Sequence, residues 1–309
     1  MKKYIQNRVA ESKLSLPLTA CYAVAVWLAA GLLSDQLWLQ AACWALASGV
    51  MMELNNANAL IRIYSRMISC SFIALSCAAP FLFHSLACGV VGLCVCLSWL
   101  LLFNSYQDKE ASGWTFYAFA CIGVASMAFP QILFLLPTTW LLMATNLQSL
   151  SWRTLAASLF GIALPYWFAV CWLTWTGDFA PLTDHVERLV TFGPLADYTA
   201  ITTGQALAIG FNMLMAAIGA VHFWRQKSND KIRVRQLYGL FLWIDITALA
   251  IILLQPQLAD GLLPVLIICT SPLAGHFLAL TRSRVSNVTF VLAVAAVVAI
   301  TVYNLLYNR

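Results

Sequence analysis

The sequence predicts an all-α protein, a polytopic bundle of transmembrane helices forming a single transmembrane domain over residues 1–309 with no soluble domain. Three observations carry that prediction. Hydrophobic residues make up 62% of the chain and charged residues only 9%, with a mean hydropathy of +0.82, a composition no soluble surface has. Apolar stretches recur at about 20 residues, the length a helix needs to cross a hydrocarbon core. No alternation of the kind that closes a β-barrel is present, so each segment must satisfy its own backbone groups as a helix.

The first stretch follows Lys2, Lys3, Arg8 and Lys13 and looks at its start like a secretory signal. It runs on from Leu14 to Leu33, too far for a signal core, and is expected to be an uncleaved first helix. Hydropathy then divides the chain into about eleven spans: 14–33, 37–52, 68–83, 86–103, 113–129, 132–147, 154–176, 205–222, 236–254, 262–280 and 287–305. Charge tests the count. An N-terminus inside the cell puts Lys2, Lys3, Arg8, Lys13, Arg62, Arg66, Lys109, Arg153, Arg225, Lys227, Lys231, Arg233, Arg235, Arg282 and Arg284 on the cytoplasmic side. Of the 17 basic residues only Arg188 and Arg309 fall outside, the asymmetry expected of an N-in, C-out topology.

Between the second and third spans, Glu53–Met67 is the most polar insert of the first half. Read as a helix, it places Asn55, Asn58, Arg62 and Arg66 on one narrow face with Ser65 at its edge, opposite Leu60, Ile63, Tyr64 and Met67. Two guanidinium groups flanked by amide donors suit a phosphate; the same residues also serve simply to anchor a cytoplasmic loop.

The one sizeable outer loop, Gly177–Gly204, carries Asp178, Asp184, His185, Glu187, Arg188 and Asp197. A short surface helix is expected over 184–190, and His185 with Arg188 makes the loop a candidate face of a site. On the other side, the basic run from Trp224 to Arg235 is a topogenic signal that also suits anionic head groups. Nucleic-acid binding is disfavoured, since no basic domain stands outside the membrane. All ten cysteines lie in apolar runs as small hydrophobes, no Cys/His spacing suits a metal, and no cofactor is expected. Gly161 in the seventh span allows close helix packing. Trp172, Trp175, Trp224 and Tyr303 belong to the aromatic belt.

Asp245 lies about 14 Å from either end of its span at about 1.5 Å per residue. An acid at that depth is costly and therefore a candidate site, or else a hydrogen-bonded tie that holds the bundle together. Asn212, Thr270 and Ser271 sit at similar depth, and Pro272 removes a backbone hydrogen bond beside them. Broken helices at the midplane build transporter sites, so Asp245 is expected to meet Asn212, Thr270 and Ser271 there.

Several segments resemble an uncharacterised family, a domain of unknown function, of multi-pass inner-membrane proteins of Gram-negative bacteria. They are Leu54-Asn55-Asn56 with Ile61-Arg62 and Ser65-Arg66, Leu102-Phe103-Asn104, Phe129-Pro130 with Phe134 and Pro137, and Ser151-Trp152-Arg153 with Gly161 and Leu164-Pro165-Tyr166. The likeness spans roughly residues 54–166 and implies the bacterial inner membrane and a span arrangement, with no activity. In architecture the chain is also similar to lipid-linked glycan polymerases and ligases, which carry one larger outer loop late in the chain; here that loop offers His185 and Arg188.

Three functions follow as expectations. The first is a role in cell-envelope assembly, handling a lipid-linked or phosphate-bearing substrate through Arg62 and Arg66 or through the His185/Arg188 loop. The second is a secondary transporter with its site at Asp245, Asn212 and Ser271. The third is a non-catalytic subunit bound to a membrane partner protein. Membrane lipids are partners in all three, and no nucleophile or phosphate-cradling loop marks an enzyme.

Overall fold

The computed structural model describes residues 4–307, so the topogenic Lys2, Lys3 and Arg309 lie outside the described residues. The helices, in order, are α1 (Ile5–Glu11), α2 (Ser15–Ala29), α3 (Trp38–Asn58), α4 (Met67–Cys77), α5 (Leu86–Leu102), α6 (Ser112–Ala128), α7 (Leu136–Thr145), α8 (Trp152–Thr176), α9 (Ala180–Val190), α10 (Thr203–Gln226), α11 (Ile232–Leu254), α12 (Ala259–Leu280) and α13 (Arg284–Tyr307). No strand occurs among the described residues.

Six of these helices, namely α5 with the turn that follows it, α8, α10, α11, α12 and α13, are long and apolar enough to cross a membrane; α1 and α2, bent by 92° at their junction, form a seventh if taken together. This is the anatomy of a helical membrane protein. Each of the apolar stretches expected from hydropathy contains a helix, but α4, α6 and α7 are short. The 11 residues of α4 rise only about 16 Å.

Local chemistry sets the helix ends. Ser151 and Thr154 cap α8 reciprocally, and Thr202 and Gln205 do the same for α10, so the backbone N–H groups left without intrahelical partners are satisfied by side chains. Helix α8 stops at Gly177, whose φ of +73° is left-handed and suits a residue without a Cβ.

The buried apolar side chains make one continuous cluster, with α12 at its centre. Every residue of the apolar window of α12 is enclosed, and it packs on α4, α5, α10 and α11. Close approach requires small residues. A methyl group on Gly219 of α10 would stand 2.6 Å from the Leu273 backbone, and one on Gly161 of α8 would stand 2.5 Å from the Phe116 carbonyl oxygen; the expected role of Gly161 in packing is what the structure shows.

Hydrogen bonds join the connecting segments into two sets. In one, Arg233 Nη2 donates to Asn58 Oδ1 at 2.9 Å, Asn146 Nδ2 to the Gln236 carbonyl at 3.1 Å, Ser151 Oγ to the Lys109 carbonyl at 2.7 Å and Gln6 Nε2 to Thr281 Oγ1 at 2.7 Å. In the other, Gln131 Nε2 donates to the Arg188 carbonyl at 2.7 Å, Gln255 Nε2 to the Gly193 carbonyl at 3.2 Å and Gln205 Nε2 to Asp260 Oδ1 at 2.6 Å. The 23 residues of α11, about 35 Å of helix, separate the two ends.

Candidate functional site

The polar insert after the second apolar stretch is not one helix, which corrects the expectation of a shared face. Helix α3 ends at Asn58 because Ala59 turns left-handed, at φ +48°. Asn55 then organises the loop beyond: its Oδ1 accepts the Ile61 N–H at 3.2 Å and its Nδ2 donates to the Ser65 carbonyl at 3.0 Å. An Asn side chain offers both a donor and an acceptor, so it competes with helical continuation. Asn55 and Asn58 are thereby buried structural groups, while Arg62 and Arg66 stand on an irregular loop. Arg66 Nε donates to the Tyr64 hydroxyl at 3.3 Å. Arg62 Nη1 donates to the Asn229 carbonyl at 3.4 Å and lies 3.8 Å from Asp230 Oδ1.

That ion pair leads to a cluster at the same end of the bundle. Asp230, on the loop between α10 and α11, takes the Nε2–H of His276 at 3.0 Å, and both side chains are almost wholly enclosed, at 3% and 0% exposed. The His222 ring from α10 stands 5.3 Å from the His276 ring and the Tyr238 ring from α11 stands 5.0 Å from it, while the Tyr238 hydroxyl donates to the Leu60 carbonyl at 3.4 Å. Nδ1 of His276 and Nε2 of His222 are buried without a hydrogen-bond partner. Beside them Arg233 Nη2 also reaches the Phe103 carbonyl at 3.1 Å, and its guanidinium lies 5.6 Å from the centre of the Tyr106 ring.

Sequence reasoning missed this cluster. Of the chain's four histidines, His222 and His276 each sit one helical turn before the end of their helix, and that shared register was the available signal. Nothing in the sequence paired them with Asp230, which looked like a lone acid in a basic loop.

The midplane expectation is met in part. Asp245, 6% exposed, accepts the Thr270 hydroxyl at 3.2 Å and forms no ion pair among the described residues. Ser271 does not join it, because its hydroxyl bonds the Ile267 carbonyl of its own helix. Nor does Asn212, whose two amide atoms are buried without a hydrogen-bond partner; it shares with Gly219 the stripe of α10 that faces α12, since seven residues make nearly two turns. The expected break at Pro272 is absent: α12 is continuous from Ala259 to Leu280. Packing on every side keeps a Pro-containing helix continuous through the missing bond, and the Ser271 hydroxyl takes up the neighbouring Ile267 carbonyl.

At the other end, the surface helix α9 is longer than the expected 184–190. Ser126 donates to the Gly123 carbonyl at 2.7 Å, so at 2.8 Å it accepts from the Tyr166 hydroxyl, whose oxygen is left to accept His185 Nε2–H at 3.0 Å. Burial, and after it the nearby Arg188 cation, lower the His185 pKa. The neutral ring with its proton on Nε2 fits this chain. Arg188 Nε turns back to the Asp184 carbonyl at 3.3 Å. These residues fasten α9 to α6 and α8.

Among the described residues no three His, Cys, Asp or Glu side chains come together in a way that could hold a metal. Compared with models of protein families, with curated proteins and with solved structures, the chain matches none.

Proposed function

We propose that the chain is a secondary transporter of a bacterial inner membrane, moving its solute in step with a proton carried by Asp245. One observation carries the reading: a carboxyl group buried at mid-helix that, among the described residues, is hydrogen-bonded only to the Thr270 hydroxyl of the central helix. An ionisable group held at that depth without a cation gains and loses a proton as its surroundings alternate between wet and dry, which is how such residues couple proton flow to movement. We place the chain across the inner membrane about eleven times, N-terminus inside and C-terminus outside. The excess of basic residues on the expected inner connections supports that orientation. So does the bonding of those connections to one another at a single end.

In this reading the His276–Asp230 pair and the Arg62 ion pair close the inner end of the bundle. The test is a pH step applied to the purified protein in vesicles on a solid-supported membrane. Wild type should give a transient proton current, and Asp245→Asn, which cannot titrate, should not. A current of equal size from both would overturn the assignment.

A second reading, the handling of a lipid-linked or phosphate-bearing substrate in envelope assembly, keeps one supporting observation. The Arg62 side chain is 40% exposed and its contact with Asp230 is long, at 3.8 Å, which leaves the guanidinium open to a phosphate.

A further inference from the structure

A slot runs along the side of the bundle between α2 and α13. Two polar contacts close its ends. Tyr22 and Thr301 share a hydrogen bond at 2.8 Å, and the backbone N–H of Gln6 donates to Asn287 Oδ1 at 3.1 Å. From Asn287 to Thr301 α13 rises about 21 Å, and side chains of both α2 and α13 line the space along that length. The space between is a cavity of about 380 Å³, within the range of about 300–1,000 Å³ typical of small-molecule sites.

Its floor is buried protein: Met67 and Ser71 of α4, and Ala274 of α12. Its rim is exposed and apolar: Leu18 of α2 with Val294 and Val298 of α13. Because α13 is a membrane-crossing helix only 17% buried in its apolar window, the mouth opens sideways, where a bilayer presents hydrocarbon and water is absent.

We infer that this slot is a binding site for one acyl chain of a membrane phospholipid, which enters from the side and lies along α13. The dimensions favour it. A leaflet's hydrocarbon layer is about 15 Å deep, half of the core's roughly 30 Å, so a single chain fits between the two clamps. The lining supplies dispersion contacts along the whole chain and asks for no charge. The buried Ser71 hydroxyl has no hydrogen-bond partner among the described residues and can donate to an ester oxygen. The site stands whether or not the chain is a transporter.

The test is photolabelling of the whole protein in phosphatidylethanolamine/phosphatidylglycerol vesicles that contain a trace of phosphatidylcholine with a diazirine in one acyl chain. Saturable label on Met67, Cys70, Ser71 or Ala74, which lie on the floor-forming helix, supports the site. Label confined to outward residues such as Phe160, Trp167 and Val291 would overturn it. The variant Ala293→Phe, which fills the slot from its mouth, should lose the floor label, whereas Val291→Phe, which faces outward, should keep it. Equal floor label in both would overturn the assignment to this slot. Floor label from a diazirine palmitate but none from the phospholipid would overturn the choice of occupant.

Discussion

His276 of α12 and Asp230 of the α10–α11 loop meet at 3.0 Å inside the protein, their side chains 0% and 3% exposed. The pair ties a basic surface loop to the end of the central helix, and Arg62 extends the tie to the loop after α3. Removing one partner leaves the other's hydrogen-bonding group buried and unsatisfied, a change that costs about 1–3 kcal/mol. Asp230→Ala should therefore lower the unfolding midpoint in detergent strongly. Asp230→Asn, whose amide oxygen still accepts the imidazole N–H, should lose less. An unchanged midpoint for Asp230→Ala would show that the pair does not hold the loop.

The two arginines of that end should behave differently. Arg62 is partly exposed and makes a long ion pair, so Arg62→Lys should change stability by no more than about 1 kcal/mol. Arg233 donates through one nitrogen to both Asn58 and Phe103. Lysine's side chain is one bond shorter and holds its nitrogen short of both acceptors, so Arg233→Lys should cost about 1–3 kcal/mol, the penalty for stranding buried acceptors. Urea unfolding of the two variants side by side checks the contrast, and equal losses would count against the geometry described for Arg233.

Orientation has a direct check. A reporter fused after Val234 should behave as cytoplasmic and one after Thr203 as external, because α10 runs between the two ends of the bundle and the basic residues gather beyond its C-terminus. The same side for both reporters would mean that α10 does not cross.

The helical membrane class was legible because composition and run length are properties of the whole chain, insensitive to any single contact. So was the depth of Asp245, which needs only counting along a helix. The site's assembly was not. Asn55 looked helical by position, yet its side chain bonds the loop that follows, and periodicity carries no information about such capping. Asp230 and His276 are 46 residues apart, and their pairing depends on how α10, α11 and α12 turn about their axes. Asn212 lies near the middle of α10, as counting along the chain places it, but its amide finds none of the expected partners, since position along a helix follows residue number while azimuth is set by packing.

Acid should loosen the outer helix α9. In the folded protein burial and Arg188 hold the His185 pKa below its ordinary value, so the neutral ring is favoured by folding. That contribution is fully present above the unfolded-state pKa and is lost as pH falls through the folded value. Hydrogen exchange of α9 amides, taken relative to each amide's intrinsic rate at the same pH, should accelerate on acidification below the ordinary imidazole range. The effect should disappear in His185→Gln, whose amide N–H can still donate to Tyr166 but does not titrate. Acid-induced acceleration of the same size in that variant would place its cause elsewhere.

Asp245 and Thr270 offer the sharpest separation between a structural tie and a working proton site. If Asp245 only holds α11 to α12, Asn should replace it with little loss, because it keeps hydrogen-bonding capacity at nearly the same volume. Leu should cost about 1–3 kcal/mol by leaving the Thr270 hydroxyl unsatisfied. Thr270→Val then removes the same bond from the other side, and the double variant Asp245→Leu, Thr270→Val should recover part of the loss, since no polar atom of the pair remains to be stranded. The proton-coupled reading accepts all of these stabilities but adds a different outcome for function. Asp245→Asn should fold and insert as wild type yet give no proton current, because an amide cannot exchange a proton near neutral pH. Thr270→Val, which leaves the carboxyl in place, should keep the current. Thermal stability measured beside the pH-step current on the same preparations decides between them. A full current from Asp245→Asn would leave the tie as the role of this pair and remove the ground for proton coupling.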